Sequence, residues 1–596
     1  MNISNFFINN HSNSKLNFQK NNTNTHNTPT LQLKQNLKTD TVSFKGNKEN
    51  MSAEEKMTNY AVKLLEDNKL KENQKIYITS DSTYLPFINI LTAEAYKKGS
   101  GLIRQNIKEP EIEALKKKYN IKEEFNYQKQ EREEFKKANA LFLKFDKKNN
   151  PLKASKLTKN EIKTEQKKFY TEIPKSVRKE FKIKPQEIFQ EALDIHKEQP
   201  VYIYAEREHL PYVVEMVDWL YSKNNTKLVD VSIPTKSRLN MLNYAKEEVL
   251  EDIPKSDIAQ EKEFYEKDVA ALYLEGRDPN MYEGINSERI VKNSNARMEA
   301  IEEYRNLTTT HVPWLVYYAP TTKSCANAYA EYNKHPFDAI TQAYKDANKI
   351  NRVGKLEEHI KALDYRTEKL NNLLDKGYQT FHYVSYDEKT QKPDGKTDFT
   401  IKMSKDSIFQ SARSKMDKYG HSPLLNIPTE EVFSAPLASS AEGKLSATKP
   451  FSINGKQIKD AQFIFKNGRV INAKASKNED MLKSYITTNK NADRLGEIAF
   501  VAGSPIEKTG RVFNSVLLDE NASCHFALGN AYAETVKGAV QIEDYNTQKK
   551  YLEDSDINVS RIHNDFMVGG KNVIITAIND NTGDKIDIIK NDEFLL

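Results

Sequence analysis

From Met51 onward, apolar residues recur at helical spacing and then in short unbroken runs, turn by turn. EKMTNYAVKLLEDNKL predicts an amphipathic helix, QKIYITSD a buried strand, and LPFINILTAEAYKKGS a second helix stopped by glycine. The same order returns at PVYIYAEREHLPYVVEMVDWLYSKNN. At a constant offset of 125 residues, Tyr77 matches Tyr202, Ile78 matches Ile203, and Leu85 and Pro86 match Leu210 and Pro211. These matches read either as two related strand–helix units or as the echo any two such units give. Between them, residues 107–200 hold 24 Lys plus Arg against 17 Asp plus Glu and predict a solvated helical insertion. DVAALYLEGRDP and HVPWLVYYAP then carry the alternation to about residue 350, and KLEEHIKALDYRTEKLNNLLDKG is an amphipathic helix with a glycine stop. From FHYVSYD the period shortens to two. DFTIKMS, PFSINGKQI, AQFIFKNGRVINAKA and NVIITAINDNTGDKIDII are strand-like, two of them with Asn-Gly hairpin turns. The expected fold is an α/β N-terminal domain over residues 51–385 followed by a β-rich α+β domain over 386–596, with the boundary between about 375 and 400.

Composition narrows the classes. Residues 1–50 are rich in Asn, Thr, Ser and Lys, lack a hydrophobic period and predict a disordered low-complexity tail. They contain no Arg, which argues against an organelle transit peptide. ISNFFINN is too short for a signal-peptide core, and no run approaches the roughly 18 apolar residues of a membrane span. Cys325 and Cys524 lie far apart, match no zinc spacing, and leave a reducing cytoplasm as the expected compartment. The net charge of +6 is confined to the tail and the 107–200 stretch, so the remainder is acidic. No Arg–aromatic interleaving accompanies it, and neither nucleic acid nor membrane is an expected partner.

The chemistry gathers in the last third. LLDENASCHFALGNAY places Glu520, His525 and Tyr532 within a dozen residues. CHFALGNAY has helical character, which would put His525 and Tyr532 on one face, with Glu520 in a loop leading in. In HND, His563 and Asp565 share one side of an extended segment. Glu497 begins the strand EIAFVA, and Glu430 and Glu431 end a turn entering VFSAP. Several carboxylates with two imidazoles suit Zn²⁺, Co²⁺ or Mn²⁺ better than calcium, whose sites are all oxygen. Singly, each of these residues is more often a surface or satisfied core group. Cys524 reads as packing, His359 as an ordinary helix residue, and His421 as lining the site. NDNTGDKID reads as a hairpin turn and not a calcium loop. HExxH, a phosphate-binding glycine loop and GxSxG are all absent from the sequence.

NIPTEEVFSAP, RLGEIAFV, LLDENASCHFALGNAY and HNDFM, in that order, resemble the M29 (thermophilic aminopeptidase T) family of metallopeptidases. GRDPNMYEGINSERI, HVPWLVYYAPTT, LEEHIKAL before LNNLL, and GKTDFTI are similar to it upstream, so the resemblance covers most of residues 51–106 and 201–596. It implies that Glu431, Glu497, Glu520, His525, His563 and Asp565 ligate metal, with Tyr532 in the same pocket and 386–596 as the metal-binding catalytic domain. It further implies an aminopeptidase with two divalent ions per chain (Zn, Co or Mn), peptide substrates with a free amino terminus, and a homodimer enclosing its active sites. Tyr532 is expected to stabilise the oxyanion and Glu430 to act as general base. The alternatives are a metal-dependent amidohydrolase on non-peptide substrates and a non-catalytic binding protein.

Overall fold

Both strand–helix units form where the pattern puts them. In the computed structural model, which describes residues 51–596 apart from 170–171, 417–418, 454–455 and 543, Ile76–Asp81 leads through a 3-10 turn into the helix Leu85–Lys97. Val201–Tyr204 leads the same way into Leu210–Ser222. A Leu-Pro pair opens each helix, where proline lacks only an N–H that would have no helical partner. The tail expected at 1–50 lies outside the described residues.

Each unit seeds its own parallel sheet. Ile76–Asp81 sits between Ile103–Lys108 and Leu141–Lys144. The second sheet runs Val229–Ser232, Val201–Tyr204, Ala270–Glu275, Trp314–Tyr318 and Asn426–Ile427, all parallel. Ala270–Glu275 is buried at every position, as a central parallel strand covered on both faces must be. Its last member, Asn426–Ile427, comes from beyond residue 386, so the C-terminal part of the chain returns to complete the N-terminal sheet.

The Lys/Glu-rich stretch differs from the solvated helical insertion its charge suggests. It supplies the strand Leu141–Lys144, and Phe125, Phe135, Leu143 and Leu152 are buried in it. The helix Asn126–Lys137 is charged nearly all round yet buries Phe135, so one apolar residue docks it. A four-residue edge strand with lysine at its end leaves almost no trace among so many charges.

The β-rich part holds an eight-stranded antiparallel sheet and a four-stranded one. The smaller sheet runs Val432–Ser434, Leu495–Phe500, His525–Gly529 and His563–Met567. One face of it packs on the larger sheet through aromatic pairs. Phe500 meets Phe381 at 5.2 Å, Phe526 meets Tyr383 at 5.0 Å, and Phe566 meets Phe463 at 4.8 Å between ring centroids. Each such pair adds roughly 0.5–1.5 kcal/mol beyond its buried area. Because strand side chains alternate, this packing turns Glu497, His525, His563 and Asp565 to the opposite face. Among the described residues no helix is long and apolar enough to cross a membrane.

Candidate metal centre

The register of three strands assembles the site. Glu497 stands opposite Ala527, Ala527 opposite Asp565, and Gly529 opposite His563. Glu497 and Asp565 therefore occupy one row with only the Ala527 methyl between them. Ala527→Leu would fill that gap. It is expected to abolish metal retention and to cost about 1–3 kcal/mol of overpacking, read by metal content and a melting curve.

CHFALGNAY is not a helix: His525–Gly529 is a strand buried on both faces. A strand covered on both sides shows no alternation, and alanine and leucine then mimic a helix by composition. Gly529 ends it at φ 106, where an added Cβ would lie 2.0 Å from the Ile562 carbonyl. The chain turns there and delivers Tyr532 from a loop. Glu520 ends the short helix Val516–Glu520, not a loop. Asn521 fastens that helix to the Glu431 segment, donating to the Leu517 carbonyl at 2.9 Å and accepting from the Glu430 N–H at 2.7 Å.

Of three clusters of metal-ligating side chains among the described residues, the third being His196, Asp268 and His421, two lie here: Glu431, Glu497 and His525, and then Glu497, His563 and Asp565. Glu497 belongs to both. His525 Nε2 lies 3.1 Å from Glu431 Oε2 and 3.4 Å from Glu497 Oε1. His563 Nε2 lies 3.3 Å from Glu497 Oε2 and 3.2 Å from Asp565 Oδ1. The Nδ1–H of His525 donates to the Ser523 carbonyl at 3.2 Å and that of His563 to the Asn530 carbonyl at 2.7 Å. With Nδ1 so engaged, each imidazole aims Nε2 at carboxylate oxygens, where a proton or a metal ion can sit between them. Glu431 Oε2, Glu497 Oε2, His525 Nε2 and Asp565 Oδ2 are buried without a hydrogen-bond partner. Acceptors facing acceptors in a buried site need a cation between them. Donors around one ion at about 2.0–2.2 Å sit roughly 3.0–3.5 Å apart, which the observed separations match.

The electrostatics carry the same demand. Burial favours a neutral carboxyl at Glu497, yet His525 and His563 hold it well below the usual range. Burial opposes charge on His563, yet Asp565 and Glu497 push its imidazole up to about 10. His525 is raised well above its ordinary value, because Glu431 and Glu497 outweigh its burial. Glu520, 2% exposed, lies outside both triplets, and burial with the Asp565 and Glu431 charges pushes its carboxyl well up. Positive charge placed among these acids relieves each of these conflicts.

Glu430 departs from its expected role. It faces away from Glu431, as consecutive extended residues do, and Arg352 clamps it from Nε at 3.0 Å and Nη2 at 2.8 Å. Its oxygens are committed to a bidentate ion pair, so it is not placed as a general base. His359 is more than an ordinary helix residue, since its Nε2–H donates to the Thr429 carbonyl at 2.7 Å and braces the same turn. Cys524 packs as expected, donating to the Val501 carbonyl at 3.2 Å, with burial pushing its thiol up to about 12.

His421 does not line the metal centre. It stacks on His196 at 4.3 Å, bonds Asp268 Oδ2 through Nε2 at 2.7 Å, and donates from Nδ1 to the Asp194 carbonyl at 2.9 Å. A 2.7 Å contact is a direct imidazolium–carboxylate bond with no room for an ion. Burial lowers the His421 pKa but the Asp268 bond outweighs it, so the net shift is upward from 6.5. A raised pKa contributes stability that is complete below about 6.5 and lost as pH rises through the folded value. Melting temperature against pH should therefore fall less above neutrality in His421→Asn than in the parent; parallel curves would refute this.

A family model described as thermophilic metalloprotease (M29) matches residues 53–184 and 185–594. The chain is 31% identical over 336 residues to aminopeptidase AmpS of Bacillus subtilis, spanning 56% of this chain and 78% of that protein. It is 29% identical over 354 residues to aminopeptidase PepS of Streptococcus thermophilus, spanning 58% and 81%. Among solved structures, AmpT from Thermus thermophilus has the same fold, with a TM-score of 0.62 at 23% identity over 70% of this chain and 99% of that one. The two matched segments together run through the whole Lys/Glu-rich stretch, in keeping with the sheet strand found there. The chain therefore belongs to the thermophilic metalloprotease (M29) family.

Proposed function

We propose that this metal-dependent aminopeptidase releases amino-terminal residues from peptides, with two divalent ions held in the 386–596 domain. Glu431, Glu497 and His525 would hold one ion and Glu497, His563 and Asp565 the other, with Glu520 joining from the helix end. The carrying observation is the sharing of Glu497 between two triplets whose inner acceptor atoms have no partner. The nitrogen and oxygen donors suit zinc, cobalt or manganese. When bound, the ions would make water acidic enough to attack at neutral pH and would polarise the scissile carbonyl.

The chain's own groups do the rest. The Ser523 and Asn530 carbonyls fix each imidazole in the tautomer that leaves Nε2 free. The Tyr532 hydroxyl lies 3.1 Å from His563 Nε2. Burial and the Glu497 and Asp565 charges push its pKa upward, and its O–H is placed to donate to a developing oxyanion. A homodimer and a cytoplasmic location, with two buried free thiols, complete this reading.

The test is hydrolysis of unblocked and N-acetylated peptides by metal-stripped protein, before and after adding Zn²⁺, Co²⁺ or Mn²⁺. Metal-restored release of the first residue from unblocked peptide alone is expected. Cleavage of both would point to a different amidase, and cleavage of neither to a binding protein.

A further inference from the structure

Glu497, His525, His563 and Asp565 stand on strands whose register fixes them against one another. The other two proposed ligands do not. Glu520 ends the short helix Val516–Glu520, and Glu431 lies just ahead of the strand Val432–Ser434. Something besides sheet register must therefore aim Glu431.

Three residues grip the turn that carries it. The Thr429 carbonyl accepts from His359 at 2.7 Å, and the Glu430 N–H donates to Asn521 at 2.7 Å. The Glu430 carboxylate takes both Arg352 bonds, at 3.0 and 2.8 Å. Two of these holds come from the N-terminal part of the chain: His359 from the helix Leu356–Asp375, and Arg352 from the turn before it. Arg352 starts from a fixed point. Its buried neighbour Asn351 donates from Nδ2 to the carbonyl of Tyr318 at 2.8 Å, at the end of the strand Trp314–Tyr318. That strand also pairs Val316 and Tyr317 with Asn426 and Ile427, so it supports the 426–431 segment at both ends.

A bidentate guanidinium–carboxylate pair fixes direction as well as distance, which a lysine point charge does not. Glu430 is buried and faces away from Glu431. Anchoring its carboxylate therefore fixes the rotation of the backbone between the two, and with it the direction in which Glu431 leaves the chain. Glu431 Oε2, 3.1 Å from His525 Nε2 and without a hydrogen-bond partner, depends on that direction.

Resting on the metal centre of the proposed function, we propose that Arg352 is a positioning residue which, acting through Glu430, aims Glu431 at the ion position it forms with Glu497 and His525. The N-terminal α/β part thus completes a centre whose proposed ligands all lie beyond residue 386.

The experiment titrates Co²⁺ into metal-stripped, full-length protein and follows visible absorption and bound metal. The parent should take up two ions. Arg352→Lys, which keeps the charge but not the fork, should weaken one step about 10–100-fold and spare the other. Glu431→Gln should weaken the same step, and adding Arg352→Lys to it should weaken that step no further, because nothing is left to aim. Added to Asp565→Asn, Arg352→Lys should instead weaken the ion that remains. Arg352→Met with Glu430→Leu replaces the ion pair by apolar groups, so the melting temperature should hold while the same step stays weak. Equal weakening of both steps, or weakening only where the melting temperature also falls, would make Arg352 a general prop and overturn the proposal. Parent-like binding in Arg352→Lys and in the apolar pair would overturn it too. A parent that binds two ions yet cleaves no unblocked peptide would fell the aminopeptidase reading alone, since no arm of this test reads turnover.

Discussion

Glu497→Gln is expected to bring peptide turnover to background and to strip both metal positions at once. This carboxylate lies 3.4 Å from His525 and 3.3 Å from His563, and it is the one group common to both triplets. An amide of the same shape keeps the strand packing but cannot bridge two cations, because one oxygen becomes an NH₂ donor aimed at an imidazole. Asp565→Asn touches one triplet only, so it should lose one ion per chain and keep the other. Metal content by plasma mass spectrometry, set beside turnover, separates the two outcomes. Glu497→Gln protein that retains two ions per chain and normal turnover would sink the shared-ligand assignment.

Tyr532→Phe carries the next largest effect, a fall in kcat of about 10²–10³-fold with metal content and melting temperature unchanged. The ring would still pack against Phe433 at 6.1 Å, so only the hydroxyl is lost. Unchanged kcat in Tyr532→Phe would remove Tyr532 from the reaction and leave it as a packing group beside His563.

What the sequence revealed follows its periodicity. His563 and Asp565, two apart in an extended run, were legible as a pair because alternation alone puts them on one face. Glu497 was read as the first residue of its strand, whereas Leu495–Phe500 begins two residues earlier and holds it inside. His525 was placed on a helix, since HFALG is covered on both faces and carries no alternation to read. The Ala527 gap follows from the same two-residue spacing once that segment is known to be a strand. Glu430 and Glu431 are adjacent, and only the fold shows that one faces the imidazoles while Arg352, 78 positions upstream of Glu430, holds the other. The carbonyls of Ser523 and Asn530 set the imidazole tautomers but are main-chain atoms, which leave no mark on residue identity. Leu141–Lys144 was hidden by the surrounding charge.

The strand Asn426–Ile427 limits how the molecule can be divided. A fragment starting at residue 386 would carry the complete set of proposed ligands, yet Asn426 and Ile427 would lose Val316 and Tyr317 as partners. Four residues beyond Ile427 stands Glu431, so the lost pairing would loosen the segment that presents the first proposed ligand. A stand-alone catalytic fragment is therefore a poor starting point for engineering. A circular permutant that opens a surface turn and keeps every strand would preserve this closure.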